Sequence, residues 1–192
     1  MKILLVGAGG VGDAFCAIAS RRSFVESIVV ADIDPAKAQR AASRDDRFTA
    51  TALDASDPAA VTSAAIAAGA DLVMNAADPR FVMPIFDGAF AAGANYMDMA
   101  MSLSEPHPSD PHSSTGVKLG DRQFAEADEW VDKGLLAVCG MGVEPGIADV
   151  FARYAADHLF SRIDEIGVRD GSNLQIRGDQ FAPTFSIWTT IE

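Results

Sequence analysis

Gly7-Ala8-Gly9-Gly10-Val11-Gly12 constrains this chain more than any other stretch. It follows the apolar run Ile3-Leu4-Leu5-Val6 and opens a segment of helical spacing, so the glycines lie between a buried strand and a helix. There, Gly7 permits a sharp turn, Gly9 lets a pyrophosphate come close to the backbone, and Gly12 lets helix and strand pack tightly. The N–H groups at the helix start, from Gly10 and Val11 onward, face the anion. A second feature matches the first. Ile28-Val29-Val30-Ala31-Asp32 reads as another buried strand, closed by a carboxylate 25 positions after Gly7. A dinucleotide fold uses an acid at about this distance to accept from the adenosine ribose hydroxyls. Asp32 would also repel a 2′-phosphate, and Ile33 follows with no arginine at 33 or 34, so the expected cofactor is NAD rather than NADP.

The rest of the chain alternates helices with short apolar strands. Strands are expected at Lys2–Val6, about Ser27–Ala31, Phe48–Leu53, Leu72–Asn75, Asn95–Asp98 and Leu135–Cys139. Helices are expected over about Val11–Arg21, from Asp34-Pro35, from Asp57-Pro58 to about Ala68, over Arg80–Ala92, over Gln123–Lys133 and over Ile147–Leu159. Val11, Phe15, Ile18 and Ala19 would form the inner face of the first, and Phe124, Ala127 and Val131 that of the fifth. Continuous apolar strands between helices indicate a parallel sheet covered on both faces. The fold class is therefore α/β, a doubly wound parallel sheet of strand order 3-2-1-4-5-6. Residues 1–145 form the dinucleotide-binding domain, and 146–192 a linking helix and the beginning of an incomplete substrate or dimerisation domain. Ile163–Arg169 and Phe185–Glu192 have strand-like patterns, and the chain stops in mid-pattern, as a fragment would.

Ligands of such sheets lie beyond the carboxyl ends of the strands. After the third strand come Asp54 and Ala55, which either reach the adenine or, with Asp57, serve only turn and cap. After the fourth, Asn75-Ala76-Ala77 offers small residues over which a cofactor can lie flat. After the fifth comes Tyr96-Met97-Asp98, and after the sixth Gly140-Met141-Gly142-Val143-Glu144-Pro145-Gly146. Asp98 and Glu144 thus emerge on the reactive side, where chemistry on an amine or imine needs an acid, a base or a partner for a cation, and Tyr96 can donate a hydrogen bond. Equally, Asp98 caps a loop and Glu144 faces solvent. The Pro-rich stretch within Met101–Arg122 reads as a lid. Its His107, Asp110 and His112 match no metal-binding spacing, and no metal is expected. Cys16 and Cys139 read as small apolar residues of a reducing compartment.

These pieces together resemble the saccharopine dehydrogenase/reductase family, and within it the carboxynorspermidine dehydrogenase and lysine 6-dehydrogenase type. The resemblance rests on the glycine turn, Val30-Ala31-Asp32, Leu72-Val73-Met74-Asn75-Ala76-Ala77, Gly93-Ala94-Asn95-Tyr96-Met97-Asp98, and the loop from Gly140 to Gly146. It implies an NAD(P)-dependent oxidoreductase that works on the C–N bond of an amino acid or secondary amine by hydride transfer, homodimeric in its full-length form. The family's usual Asp before Pro-Gly is Glu144 here. A second reading is a dinucleotide-binding sensor or regulatory module without turnover. The net charge of −12 over 192 residues disfavours nucleic acid and anionic membranes as partners. No apolar run approaches the roughly 18 residues of a membrane span, and the N-terminus carries no export pattern, so a cytoplasmic location is expected.

Overall fold

The computed structural model describes residues 1–169. Its strands are β1 (Lys2–Val6), β2 (Ser27–Asp32), β3 (Phe48–Ala52), β4 (Leu72–Asn75), β5 (Asn95–Met97) and β6 (Ala137–Val138). All neighbouring pairs are parallel, and the order is β3-β2-β1-β4-β5-β6, as expected from the sequence. The order reverses at β1, which pairs Leu5 with Val30 on one side and with Met74 on the other. A crevice opens at such a reversal, beyond the carboxyl ends of β1 and β4.

The helices are α1 (Gly10–Ala19), α2 (Pro35–Ala42), α3 (Pro58–Ala68), α4 (Val82–Ala92), α5 (Asp121–Ala125), α6 (Ala127–Asp132) and α7 (Ile147–His158), with a 3-10 turn at Pro79–Phe81 before α4. Their ends follow side-chain chemistry. Asp34 accepts from Ala36 N and Lys37 N at the start of α2, and Asp57 from Ala59 N at the start of α3, each ahead of a proline whose missing N–H costs nothing there. Left-handed Gly69 and Gly93 end α3 and α4. Alternate residues of β1 feed two cores. Ile3 and Leu5 pack with Cys16 of α1 and the alanines of α2, whereas Leu4 and Val6 pack with Val61 of α3, Phe86 of α4 and Trp130 of α6.

Two helical faces differ in part from the expected ones. In α1 the buried residues are Gly12, Cys16 and Ala19; of the expected face Ala19 is buried and Phe15 packs against the first core, while Val11 and Ile18 are exposed. Small residues win this face because the helix must press against the glycine turn. The expected helix at Gln123–Lys133 is broken at Glu126 into α5 and α6, and its buried residues are Gln123 and Trp130 rather than Phe124 and Val131. The chain divides by its internal contacts into Met1–Asp149 and Val150 onward. No residue of α7 is buried, although its apolar residues recur at helical spacing. Ile163–Arg169 is irregular and not the expected strand. The strand-like pattern at 185–192 lies outside the described residues.

Candidate functional site

The glycines of the first turn fall into two groups. Gly7 has φ +99°, and a Cβ there would lie 2.7 Å from the carbonyl carbon and oxygen of Ala76. A Cβ on Gly12 would overlap the Gly7 carbonyl oxygen. These two positions are glycine because the chain packs on itself. Around Gly9 and Gly10 nothing lies within 4 Å of a Cβ, and Gly9 has an ordinary φ of −70°. Neither backbone nor packing demands glycine there; what glycine leaves is room. The first bond of α1 runs from Asp13 N to Gly9 O, so the N–H groups of Gly10, Val11 and Gly12 have no acceptor within the helix. An open cradle with free donors at the positive end of a helix fits a diphosphate. Asp13, in this first turn, is matched by Arg44, whose Nε and Nη2 donate to it at 2.8 and 2.6 Å and hold its carboxyl below the usual range.

Asp32 is tied to that turn. Its Oδ2 accepts from Ala8 N at 2.7 Å and its Oδ1 from Asp34 N at 2.9 Å, which fixes the carboxylate at the end of β2 beside the cradle. Ile33, which follows it, is 74% exposed. Val11 is exposed as well. Asp54 accepts from both the backbone N–H and the hydroxyl of Ser56, which hold its carboxyl below the usual range, and Ala55 packs against the second core. These bonds make a turn after β3; Asp54 remains exposed at the rim.

Tyr96, Asp98 and Asn75 join in one buried network, in which Asp98 holds loop residues, the alternative to its acid-base role. All three are buried, Asp98 to within 1% of its surface. Asn75 Nδ2 donates to Tyr96 Oη at 3.0 Å, and the Tyr96 hydroxyl donates to Asp98 Oδ2 at 2.9 Å. Gln123 Nε2 donates to the same oxygen at 2.8 Å, while Gly140 N and Met101 N donate to Oδ1 at 2.7 and 3.2 Å. Asn75 Oδ1 accepts from Ala77 N. The carboxylate is saturated by four donors and closed to solvent. It joins β5, α5 and the loop after β6, and the Tyr96 hydroxyl links it to the end of β4. Burial, then the neighbouring Asp98 charge, pushes the Tyr96 phenol well above its ordinary range. Asn75 likewise spends its side chain on this network, and the half-buried Ala76 and Ala77 that follow pack against the first and second cores.

Sequence reasoning missed Gln123. Its side chain also accepts from Ser102 N at 2.8 Å, anchoring the start of the long irregular segment. The available signal was its place seven residues before Trp130, a polar residue on the buried helical phase. Glu144 is exposed in the Gly140–Gly146 loop, whose first residues are held by the main chain and carboxylate of Asp98. Cys139 is half-buried, and burial followed by the Asp98 charge pushes its thiol up to about 12. His107 closes a turn by accepting from Asp110 N at its Nδ1. Among the described residues no group of three or more His, Cys, Asp or Glu side chains could hold a metal ion.

Comparison with known proteins fits this geometry. Residues 3–138 match the family described as saccharopine dehydrogenase NADP binding domain. The chain is 30% identical over 187 residues to carboxyaminopropylagmatine dehydrogenase of Synechocystis, covering 96% of this chain and 45% of that protein. It is 29% identical over 205 residues to carboxynorspermidine synthase of Vibrio cholerae, covering 100% and 48%. It therefore spans about half the length of these relatives. Among solved structures, saccharopine dehydrogenase (L-Glu forming) from Saccharomyces cerevisiae superposes with a TM-score of 0.62 at 21% identity, over 82% of this chain and 31% of that one. Strand order, glycine turn and sequence match converge: the chain belongs to the saccharopine dehydrogenase family, through its dinucleotide-binding domain.

Proposed function

We propose that this chain is the cofactor-binding part of an NAD(P)-dependent oxidoreductase that works on the C–N bond of an amino acid or secondary amine. The observation that carries the reading is the open cradle at Gly9 and Gly10, flanked by glycines closed on the protein's own backbone and by Asp32 fixed beside Ala8. The named activities of the relatives, a dehydrogenase and a synthase of carboxylated amines, supply the substrate class. The nicotinamide coenzyme supplies the hydride chemistry when bound. The protein's own part is to hold it: helix α1 takes the diphosphate, Asp32 accepts from the adenosine ribose, Ile33 and Val11 flank the adenosine half, and Ala76-Ala77 leaves the crevice clear. Glu144, exposed at the strand ends, is the carboxylate available to a substrate ammonium. Asp98 and Tyr96 act behind it, as positioning residues that fix the start of its loop.

Asp32 further argues for NAD over NADP, since a carboxylate held at that spot repels a 2′-phosphate. The family description names NADP, so this preference is the sharper test. In the full-length protein, calorimetry with each coenzyme should show NAD bound at least tenfold more tightly, and Asp32→Ser should narrow the gap. A wild-type preference for NADP overturns the assignment of Asp32. Turnover is tested by following reduced-coenzyme absorbance against a panel of amines, opine-like amino acids and polyamine adducts. Gel filtration tests the homodimer, and fractionation the cytoplasmic location, that the same reading implies.

A further inference from the structure

We propose that Arg44 is a positioning residue for the coenzyme, a role that rests on the coenzyme reading above: it neutralises the Asp13 carboxylate, so that α1 carries an acid in its first turn and still receives a diphosphate. Arg44 lies in the connection that leads from α2 into β3, not among the loops that leave the carboxyl ends of the strands. It reaches Asp13 across 31 positions of sequence.

Asp13 serves one purpose at the expense of another. Gly10 opens α1, and Asp13 stands three residues on, about 4.5 Å along the axis. An acid in the first turn stabilises a helix by meeting its positive end. It also sets a negative charge within a Debye length, roughly 8–10 Å, of the free N–H groups of Gly10, Val11 and Gly12. Those are the donors open to the diphosphate. An unmatched Asp13 would therefore compete, by its own charge, with the anion that the turn is shaped to take.

The match to Arg44 is close. Nε donates to Oδ1 and Nη2 to Oδ2, a fork that engages both carboxylate oxygens at once. The Asp13 side chain is 27% exposed and that of Arg44 40%, so the pair stands partly out of water, where charges are screened less. Arg44 is the main cause of the lowered Asp13 carboxyl, and the charge of Arg40 adds to the attraction without a hydrogen bond. Both members also reach Cys16, one turn further along the inner face of α1. Burial first and then the Asp13 charge push its thiol up to about 11, and Arg44 opposes them. With the pair formed, the two charges cancel, and the open donors keep the helix dipole without the acid's repulsion.

The test is a fluorescence titration of the full-length protein with NADH, at about 20 mM and about 0.5 M salt. At low salt Arg44→Gln should bind NADH about three- to tenfold more weakly than the parent, and at high salt the loss should shrink below about twofold as Asp13 is screened. Asp13→Asn should bind more tightly than the parent, because Arg44 then adds its charge unopposed. The double variant Asp13→Asn, Arg44→Gln should return to the parent affinity, and Arg44→Lys, which keeps the charge, should fall between the parent and Arg44→Gln. A loss that salt does not change, an Asp13→Asn protein as weak as Arg44→Gln, or a double variant that is not rescued overturns the proposal and leaves the pair a strut between two helices. If Arg44→Gln fails to fold, Asp13→Asn decides alone: tighter binding supports the role, equal or weaker binding overturns it. A parent that binds NADH with Arg44→Gln indistinguishable from it removes this role only. A parent that binds neither NADH nor NADPH removes the coenzyme reading as well.

Discussion

A single methyl group distinguishes two kinds of glycine in the first turn. On Gly12 it would overlap the Gly7 carbonyl; on Gly9 it would meet nothing of the protein. Gly12→Ala should therefore lower the melting temperature by many degrees, whereas Gly9→Ala should melt like the parent yet bind NAD at least tenfold more weakly (about 1.4 kcal/mol). Calorimetry and circular dichroism on the same samples check this. Asp98 shows what the sequence leaves out at this scale. A carboxylate after a strand is legible as a residue on the reactive side, but its four donors come from Tyr96, Met101, Gln123 and Gly140, which only the fold brings together. Asp98→Ala should cost at least about 1–3 kcal/mol in urea denaturation, since buried donors are left unpaired. The Tyr96 phenol, raised by burial, belongs to the neutral form. Its stabilising effect is complete below the ordinary phenol range near 10 and is lost as pH rises beyond it. In a Tyr154→Phe background, phenolate absorbance should stay absent past that range until the protein unfolds.

Elements were legible where one residue decides them. Asp34-Pro35 and Asp57-Pro58 start helices, and Gly69 and Gly93 stop them. Asp57→Ala should cost about 1 kcal/mol, measured by chemical denaturation, because Ala59 N loses its acceptor. Strands buried on both faces show as unbroken apolar runs, so the six of the sheet could be read to within about two residues at each end, although the similar run at Ile163–Arg169 forms no strand. Helical faces were harder. Where alanine, glycine and cysteine form the inner surface, as on α1, the larger residues that attract the eye are the outer ones. Arg47 illustrates a contact with no local signature at all. It pairs with Asp45 and donates to the carbonyls of Ser20 and Val25, clasping the connection before β2 to the one before β3. Its guanidinium holds the Asp45 carboxyl down at about 2. A depressed acid contributes stability above its ordinary range near 4 and loses it as pH falls through about 2. Arg47→Gln should accordingly shift the acid-unfolding midpoint to higher pH, followed by circular dichroism.

For the whole molecule, the sheet order followed from counting strands, while the convergence of Asn75, Tyr96, Asp98 and Gln123 did not. If the crevice at the reversal point binds dinucleotide only when folded, NAD at a hundred times its Kd should add about 2.7 kcal/mol of stability, visible as a concentration-dependent melting temperature. The same topology sets a schedule for synthesis. Within this sheet β1 is made before its partners and joins β2 soon after, but its other side awaits Leu72–Asn75. At roughly 5–20 residues per second, a nascent chain carries that half-finished ladder for some seconds. Its bare edge then presents unsatisfied amides and carbonyls to any extended segment nearby. Of the strands in this sheet, the one made earliest is thus left with a second edge that is paired late, and mispairing of that edge is the hazard the strand order builds in.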